Sequence, residues 1–244
     1  MVIKNLGDVE TADVKLVEKN GVHYAMKVLK KKHPRYMESF LARYRSEFDL
    51  VSQLNVDSAI EYYEFLEEVE WRGKNGCNSV EKCYCLVMEL VEGVDLINYF
   101  NLALIQDERL LRCIFRKMID ALSELHYAGI AHRDIKPDNI MITVDYKIKI
   151  VDFEHAHDVR EEDWLKKIYG EGTTVGSLAY KAPEAHKHAD YDSMKIDIFS
   201  LGVSFLTLYT MSHPFYNGPE GLNYQIFHVM PEIFWKKFDK FNIS

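Results

Sequence analysis

The chain has 244 residues, of which 48% are hydrophobic, 13% aromatic and 28% charged; this is the composition of a globular protein and excludes collagen-like, disulfide-scaffold and linker-like chains. At about 150 residues per domain the length suits one large domain or two modest lobes. With 38 acidic against 30 basic side chains the formal charge is −8, which opposes sequence-independent binding to nucleic acid or to an anionic membrane surface.

In chain order, the first clear element is Val22 to Leu29, whose alternation predicts a strand. Val22, Tyr24, Met26 and Val28 form one face, leaving His23, Ala25, Lys27 and Leu29 on the other. Residues 36–54 read as a helix, with Phe40, Tyr44, Val51 and Leu54 spaced along one stripe and Glu47 interrupting it. Lone buried charges are costly, so Lys27 and Glu47 are expected to pair across the strand and helix. The runs 60–69 and 82–88 read as further strands. Near residue 90 the pattern changes, and Glu89 to Asp95 is the predicted hinge between a strand-rich lobe (1–88) and a helical one (96–244).

Beyond the hinge, Leu110, Leu111, Ile114, Phe115, Met118, Ile119, Leu122 and Leu125 mark one face of a helix ending near Gly129. Short strands follow at 140–143 and 147–152, where Ile148, Ile150 and Asp152 are predicted to share a face. Ile198 to Met211 is apolar nearly all round, the pattern of a buried helix, and too short to span a bilayer. The start, MVIKNLGDVE, has no apolar signal region. With Cys77, Cys83 and Cys85 crowded together, the cysteines suit a reducing compartment rather than a disulfide framework. A soluble cytoplasmic protein, with a nuclear location left open, is the expectation. The pairs His155/His157 and Cys83/Cys85 each share a predicted strand face but supply no four-ligand zinc set. The run Lys30 to Lys32 reads as a solvated turn, and the aromatic residues around Phe234 to Phe241 as packing within the helical lobe.

The most specific signal is HRDIKPDN, His132 to Asn139, which strongly resembles the catalytic loop of eukaryotic protein kinases of the serine/threonine type. Other motifs of that family stand in order around it: YAMK ending at Lys27, Glu47, the triplet DFE at Asp152 to Glu154, and APE at Ala182 to Glu184. The resemblance covers nearly the whole chain. It implies an α+β, two-lobed kinase domain over 1–244, with a small β-rich lobe, a larger helical lobe and a nucleotide cleft between them. The implied activity is transfer of the γ-phosphate of Mg-ATP to a protein Ser/Thr hydroxyl, with the calcium/calmodulin-dependent kinase group as the nearest branch.

The resemblance also assigns roles. Lys27 holds the α- and β-phosphates and Glu47 fixes its ammonium; Asp152 and Asn139 bind Mg²⁺, which prefers oxygen ligands. Asp134 orients the attacking hydroxyl or accepts its proton, and Lys136 contacts the γ-phosphate. Asp197, in DIFSLG, braces the catalytic loop. In LVMELVEGVD, Met88 is the gatekeeper, backbone groups of Glu89 and Val91 face adenine, and Asp95 reaches the ribose. Leu6, Gly7, Val14, Ala25 and Met141 complete the nucleotide pocket. GTTVGSLAYKAPE resembles an activation loop in which Ser177 keeps the hydroxyl of the usual threonine. Thr173 or Thr174 would be phosphorylated by an upstream kinase and held by Arg133.

Four features depart from the family pattern. LGDVETADV keeps Gly7 and Val14 but puts Val9 and Ala12 where glycines are expected; side chains there are predicted to hinder the approach of backbone to phosphate. Glu154 replaces the glycine after Phe153. The chain begins within the first strand and ends at FWKKFDKFNIS, as a fragment or shortened gene would, so that Glu184 is expected to lack its arginine partner. These departures motivate an alternative of a different class, a pseudokinase that binds nucleotide as a scaffold. A small-molecule kinase fits less well, because GSLAY followed by APE is a peptide-positioning stretch.

Overall fold

The alternation at Val22–Leu29 is realised as the central strand of a five-stranded antiparallel sheet in the computed structural model. The structure describes residues 1–8, 11–30, 34–72, 80–103, 107–160, 176–186, 191–218 and 221–239. Its internal contacts divide the chain into two units, Met1–Glu92 and Gly93–Ser244.

In the first unit the elements are β1 (Val2–Asp8), β2 (Ala12–Lys19), β3 (Val22–Leu29), α1 (Pro34–Val51), β4 (Tyr62–Arg72) and β5 (Val80–Met88), with sheet order β1-β2-β3-β5-β4. Asn20 and Gly21, both at positive φ, make the two-residue turn that joins β2 to β3 with the twist a hairpin needs. Each sheet face buries a different set. Met26 and Val28 pack with Cys83, Cys85, Leu66, Val69 and Val87, whereas Leu29 joins Ala12 and the α1 residues Phe40, Leu41 and Tyr44. Helix α1 opens on Pro34, a residue suited to the first helical position. It stops at Val51, short of the predicted Leu54, whose N–H instead bonds back to the Val51 carbonyl in a tight turn. Strand β4 is interrupted between Leu66 and Val69, where Glu68 has φ +53, so strict alternation fails there.

The second unit begins with β6 (Gly93–Asp95), α2 (Leu96–Ala103) and α3 (Glu108–Tyr127). Short strands β7 (Ile130–Ala131), β8 (Ile140–Thr143), β9 (Ile148–Ile150) and β10 (His157–Asp158) follow, and then helices α4 (Ser193–Thr210), α5 (Leu222–Val229) and α6 (Pro231–Lys236). The strands form two small sheets, β6-β8-β9 and β7-β10. Gly93 is required where it stands, because a β-carbon would collide with the Ile142 backbone. Helix α3 is capped by Asp107, which accepts from the Arg109 N–H, and it buries Leu111, Ile114, Met118, Ala121, Leu122 and Leu125. Ile119, predicted on that face, is exposed.

Other predictions fail locally. Strand β9 ends at Ile150 and Asp152 lies beyond it at φ +62, so Asp152 does not share a strand face with Ile148 and Ile150. Likewise only His157 of the pair His155/His157 is in a strand. Helix α4 starts five residues before Ile198, and Ile198 is 60% exposed. Its buried side is shared with hydroxyls: Ser200, Ser204 and Thr210 each donate to the carbonyl four residues back, which lets polar side chains face the core. Phe234 in α6 is fully buried against Phe215 and Phe227, with Phe238 beside it; Phe241 lies outside the described residues. None of the described helices is long and apolar enough to cross a membrane, and the described residues contain no group of three metal-ligating His, Cys, Asp or Glu side chains.

Candidate active site

In the first unit, β2 and β3 pair Val14 with Lys27, and β3 and β5 pair Ala25 with Met88. These directly opposed residues share a sheet face. Lys27 is only 5% exposed, and its ammonium lies 5.2 Å from the centre of the Tyr44 ring, a favourable cation–π distance. Tyr44 is one turn ahead of Glu47 on α1, so the structure brings Lys27 to the helix face that carries Glu47. Glu47, 4% exposed, accepts a hydrogen bond from Tyr62 Oη at 2.5 Å; the sequence offered no signal for that tyrosine. Leu6 is exposed, and Gly7, opposite Val14, has open space where a β-carbon would stand. Ala12 is fully buried with Leu29, Phe40, Leu41 and Tyr44. Its methyl group therefore enters the core of this unit, which places the predicted hindrance to phosphate elsewhere than at Ala12. Val9 lies outside the described residues. The Glu89 N–H is committed to the Glu61 carbonyl at 2.9 Å, and Val91 is half-buried.

In the second unit the loop between β7 and β8 is held from beneath. Asp197, fully buried on α4, accepts from the His132 N–H at 2.8 Å, the Arg133 N–H at 2.7 Å and His126 Nε2 at 3.0 Å. Arg133 sits at φ +62, unusual for a non-glycine residue and here fixed by the bonds on either side. His132 Nε2 donates to the Val151 carbonyl, which leaves Nδ1 to accept from the Asp134 N–H, and its ring meets Phe153 edge-on.

This support presents Asp134, itself buried. Its Oδ2 accepts from Lys136 Nζ at 2.9 Å and Asn139 Nδ2 at 3.1 Å, and its Oδ1 from the Ser177 N–H at 2.6 Å. Lys136 also donates to Ser177 Oγ at 2.7 Å. Burial alone would raise the Asp134 pKa; the Lys136 charge and hydrogen bond, His132 and Ser177 outweigh it and hold the carboxyl below its usual range. Gly176, at φ +81, passes so near the Arg133 carbonyl that a β-carbon would clash, and this close passage delivers the Ser177 N–H to Asp134.

Asn139 commits its amide hydrogens to Asp134, which leaves carbonyl Oδ1, the atom a hard cation takes. The Val151 N–H donates to the Asn139 carbonyl, so Asn139 and Asp152 stand at the same end of the β8–β9 pair. One carboxylate and one amide oxygen suit Mg²⁺, whose remaining ligands come from phosphates and water. Asp95, paired with Met141, caps α2 by accepting from the Asn98 N–H and Nδ2; this capping duty was not foreseen. Glu154 keeps a negative φ, so the missing glycine costs the turn no backbone strain. Glu184 makes no ion pair among the described residues. Thr173 and Thr174 lie outside them.

Lys181 was also missed. It is 7% exposed, its ammonium has no hydrogen-bond partner among the described residues, and burial lowers its pKa from 10.5 to about 8, against an opposing pull from Asp134. The unfolded chain therefore binds the proton more tightly than the folded one, and stability rises with pH between about 8 and 10.5. Lys181→Met should raise the unfolding free energy by up to about 3 kcal/mol at pH 7, from about 1.36 kcal/mol per pKa unit. Denaturant melts across pH should show that gain shrinking above pH 8; a gain independent of pH counts against a charge origin.

Comparison with known proteins agrees with these motifs. The family described as Protein kinase domain matches residues 1–242. Similar curated proteins include serine/threonine-protein kinase cds1 of Schizosaccharomyces pombe, 33% identical over 88% of this chain and 45% of its own. Serine/threonine-protein kinase hal4 of the same yeast is 30% identical over 78% of this chain and 28% of its own. Sperm motility kinase 3A of Mus musculus is 30% identical over 88% of this chain and 38% of its own. The chain thus spans less than half the length of these relatives. With the braced loop around Asp134, the buried lysine of β3 and the matched family all falling in one order along the sequence, the chain belongs to the protein kinase family.

Proposed function

We propose that the chain is an ATP-dependent serine/threonine kinase that transfers the γ-phosphate of Mg-ATP to a hydroxyl of a protein substrate. The observation that carries this reading is the buried Asp134 carboxylate gathered with Lys136, Asn139 and Ser177. Phosphoryl transfer needs positioning and charge neutralisation more than covalent help. Asp134, ionised and held below the usual carboxylate range, is a weak base; its task is to orient the acceptor hydroxyl by accepting its hydrogen bond. Lys136, already joined to both Asp134 and Ser177, places an ammonium where the transferred phosphoryl group would gain charge. Mg²⁺, held by Asn139 and Asp152, supplies neutralisation of the nucleotide's phosphates. Lys27, fixed on the α1 face that bears Glu47, takes the α- and β-phosphates.

Nucleotide contacts of Leu6, Gly7, Val14, Ala25, Met88, Glu89, Val91, Asp95 and Met141 belong to the same proposal. So does control by an upstream kinase. Arg133 is half-buried, burial lowers its pKa, and Nη1 has no hydrogen-bond partner among the described residues; a phosphate on Thr173 or Thr174 is the kind of anion such a guanidinium accepts.

The test is incubation with Mg-[γ-³²P]ATP and matched basic peptides that present Ser/Thr or Tyr, with nucleotide binding measured by calorimetry. Label on Ser/Thr is the expected result. Binding without transfer selects the scaffold reading, and neither binding nor transfer overturns both.

A further inference from the structure

Helix α1 holds the start of β2 as well as Lys27. Tyr44, fully buried, donates its hydroxyl to Thr11 Oγ1 at 2.7 Å. Its ring stacks edge-on against Phe40 with centroids 5.0 Å apart, and the Lys27 ammonium lies 5.2 Å from its centre. Next to Thr11, the Ala12 methyl is buried against Tyr44, Phe40, Leu41 and Leu29. One tyrosine thus touches the lysine assigned to the nucleotide phosphates and the residue just before β2 in the segment where kinase glycines are expected. One turn further along α1 is Glu47.

We propose that Tyr44 is a positioning residue that clasps the start of β2 and the Lys27 ammonium to α1. The proposal rests on the nucleotide-site reading of Lys27. A backbone rich in glycine follows the phosphates by its own flexibility; a side chain at Ala12 restricts the segment. The Thr11 hydroxyl and the Ala12 methyl seat that restricted segment on the helix, so its position is set by α1 rather than by the ligand. Any displacement of α1 that moves Glu47 also moves Tyr44, and with it both Lys27 and the start of β2. Ala12 is therefore a packing residue of this clasp, and restoring the family glycine there weakens the hold on nucleotide instead of improving it.

Tyr44→Phe keeps the ring under Lys27 and the core packing but removes the link to Thr11. A net hydrogen bond of ordinary strength corresponds to roughly a fivefold change in an equilibrium constant. In steady-state assays Tyr44→Phe should raise the KM for ATP about fivefold with kcat retained. Thr11→Val should do the same, and the double variant should lose no more than either single one. Ala12→Gly should also raise KM. A residue that merely stabilised the fold would lower the melting temperature without this split or this non-additivity. Unchanged KM in Tyr44→Phe, additive effects in the double variant, or tighter nucleotide binding by Ala12→Gly overturns the proposal. Should the wild type bind no Mg-ATP by calorimetry, the nucleotide-site reading is what fails. Amide exchange then decides the clasp: faster exchange at residues 11–14 in Tyr44→Phe upholds it, and unchanged exchange rejects it.

Discussion

Asp134→Asn should lower the rate of phosphate transfer by about 10²- to 10⁴-fold, the range over which a positioned acid–base side chain contributes. The substitution preserves shape and alters what the atoms can accept. The carboxylate takes three donors: Lys136 Nζ and Asn139 Nδ2 on one oxygen and the Ser177 N–H on the other. An asparagine has one acceptor oxygen and one NH₂. Whichever way it turns, the NH₂ faces donors, and either the lysine and amide or the Ser177 N–H loses its partner. The negative charge that aligns an incoming hydroxyl is lost as well. Each donor stranded in this way costs about 1–3 kcal/mol, so a lower melting temperature should accompany the kinetic loss. Nucleotide binding is the discriminating control, because Asp134 is not assigned to the nucleotide. Transfer within a few-fold of wild type would remove Asp134 from the chemistry. An equal fall in ATP affinity would mean that the loop had collapsed and that the kinetic loss says nothing about the hydroxyl.

The parts of this site that could be read in advance are those fixed by local pattern. Lys27 was legible because alternation in Val22–Leu29 places it on the inward face of β3, and Glu47 because it interrupts a helical stripe; both are buried. HRDIKPDN was legible because few turns combine those residues in that order. The remainder depends on contacts between segments distant in sequence, which neither a period of 2 nor one of 3.6 encodes. Tyr62 reaches Glu47 from another strand, and Tyr44 read as plain core although its hydroxyl reaches Thr11. Asp152 illustrates a different limit. Its hydrophobic neighbours alternate correctly up to Ile150, but the strand stops there and Asp152 itself takes a left-handed φ, which the alternation does not forecast. Ala12 shows why a motif comparison can mislead: a missing glycine suggests steric interference with a ligand, whereas the methyl group is folded into the core.

Asp197→Ala should unfold more easily by about 2–6 kcal/mol, the cost of stranding two buried backbone donors at about 1–3 kcal/mol each, and should lose transfer activity together with stability. The reason lies in the number of groups that a single carboxylate satisfies. Oδ1 accepts from the Arg133 N–H, and Oδ2 from the His132 N–H and His126 Nε2. Alanine leaves two buried backbone donors and a histidine without those acceptors, and no water-accessible path replaces them around a side chain that is fully buried. Arg133 is held at φ +62, a conformation costing roughly 1–3 kcal/mol that persists only while its surroundings impose it. Once the Oδ1 bond is gone the backbone is free to relax toward negative φ, and Asp134, the next residue, turns with it. Activity should therefore fall further than the fraction unfolded accounts for. The comparison with Asp197→Asn separates the two contributions: its single oxygen can retain one of the backbone bonds, so intermediate stability with partial activity is expected. Chemical denaturation of both variants, read beside their transfer rates under conditions where each is fully folded, checks this. An Asp197→Ala protein that melts like wild type, or one that is destabilised but fully active when folded, contradicts the bracing of the Asp134 loop from α4.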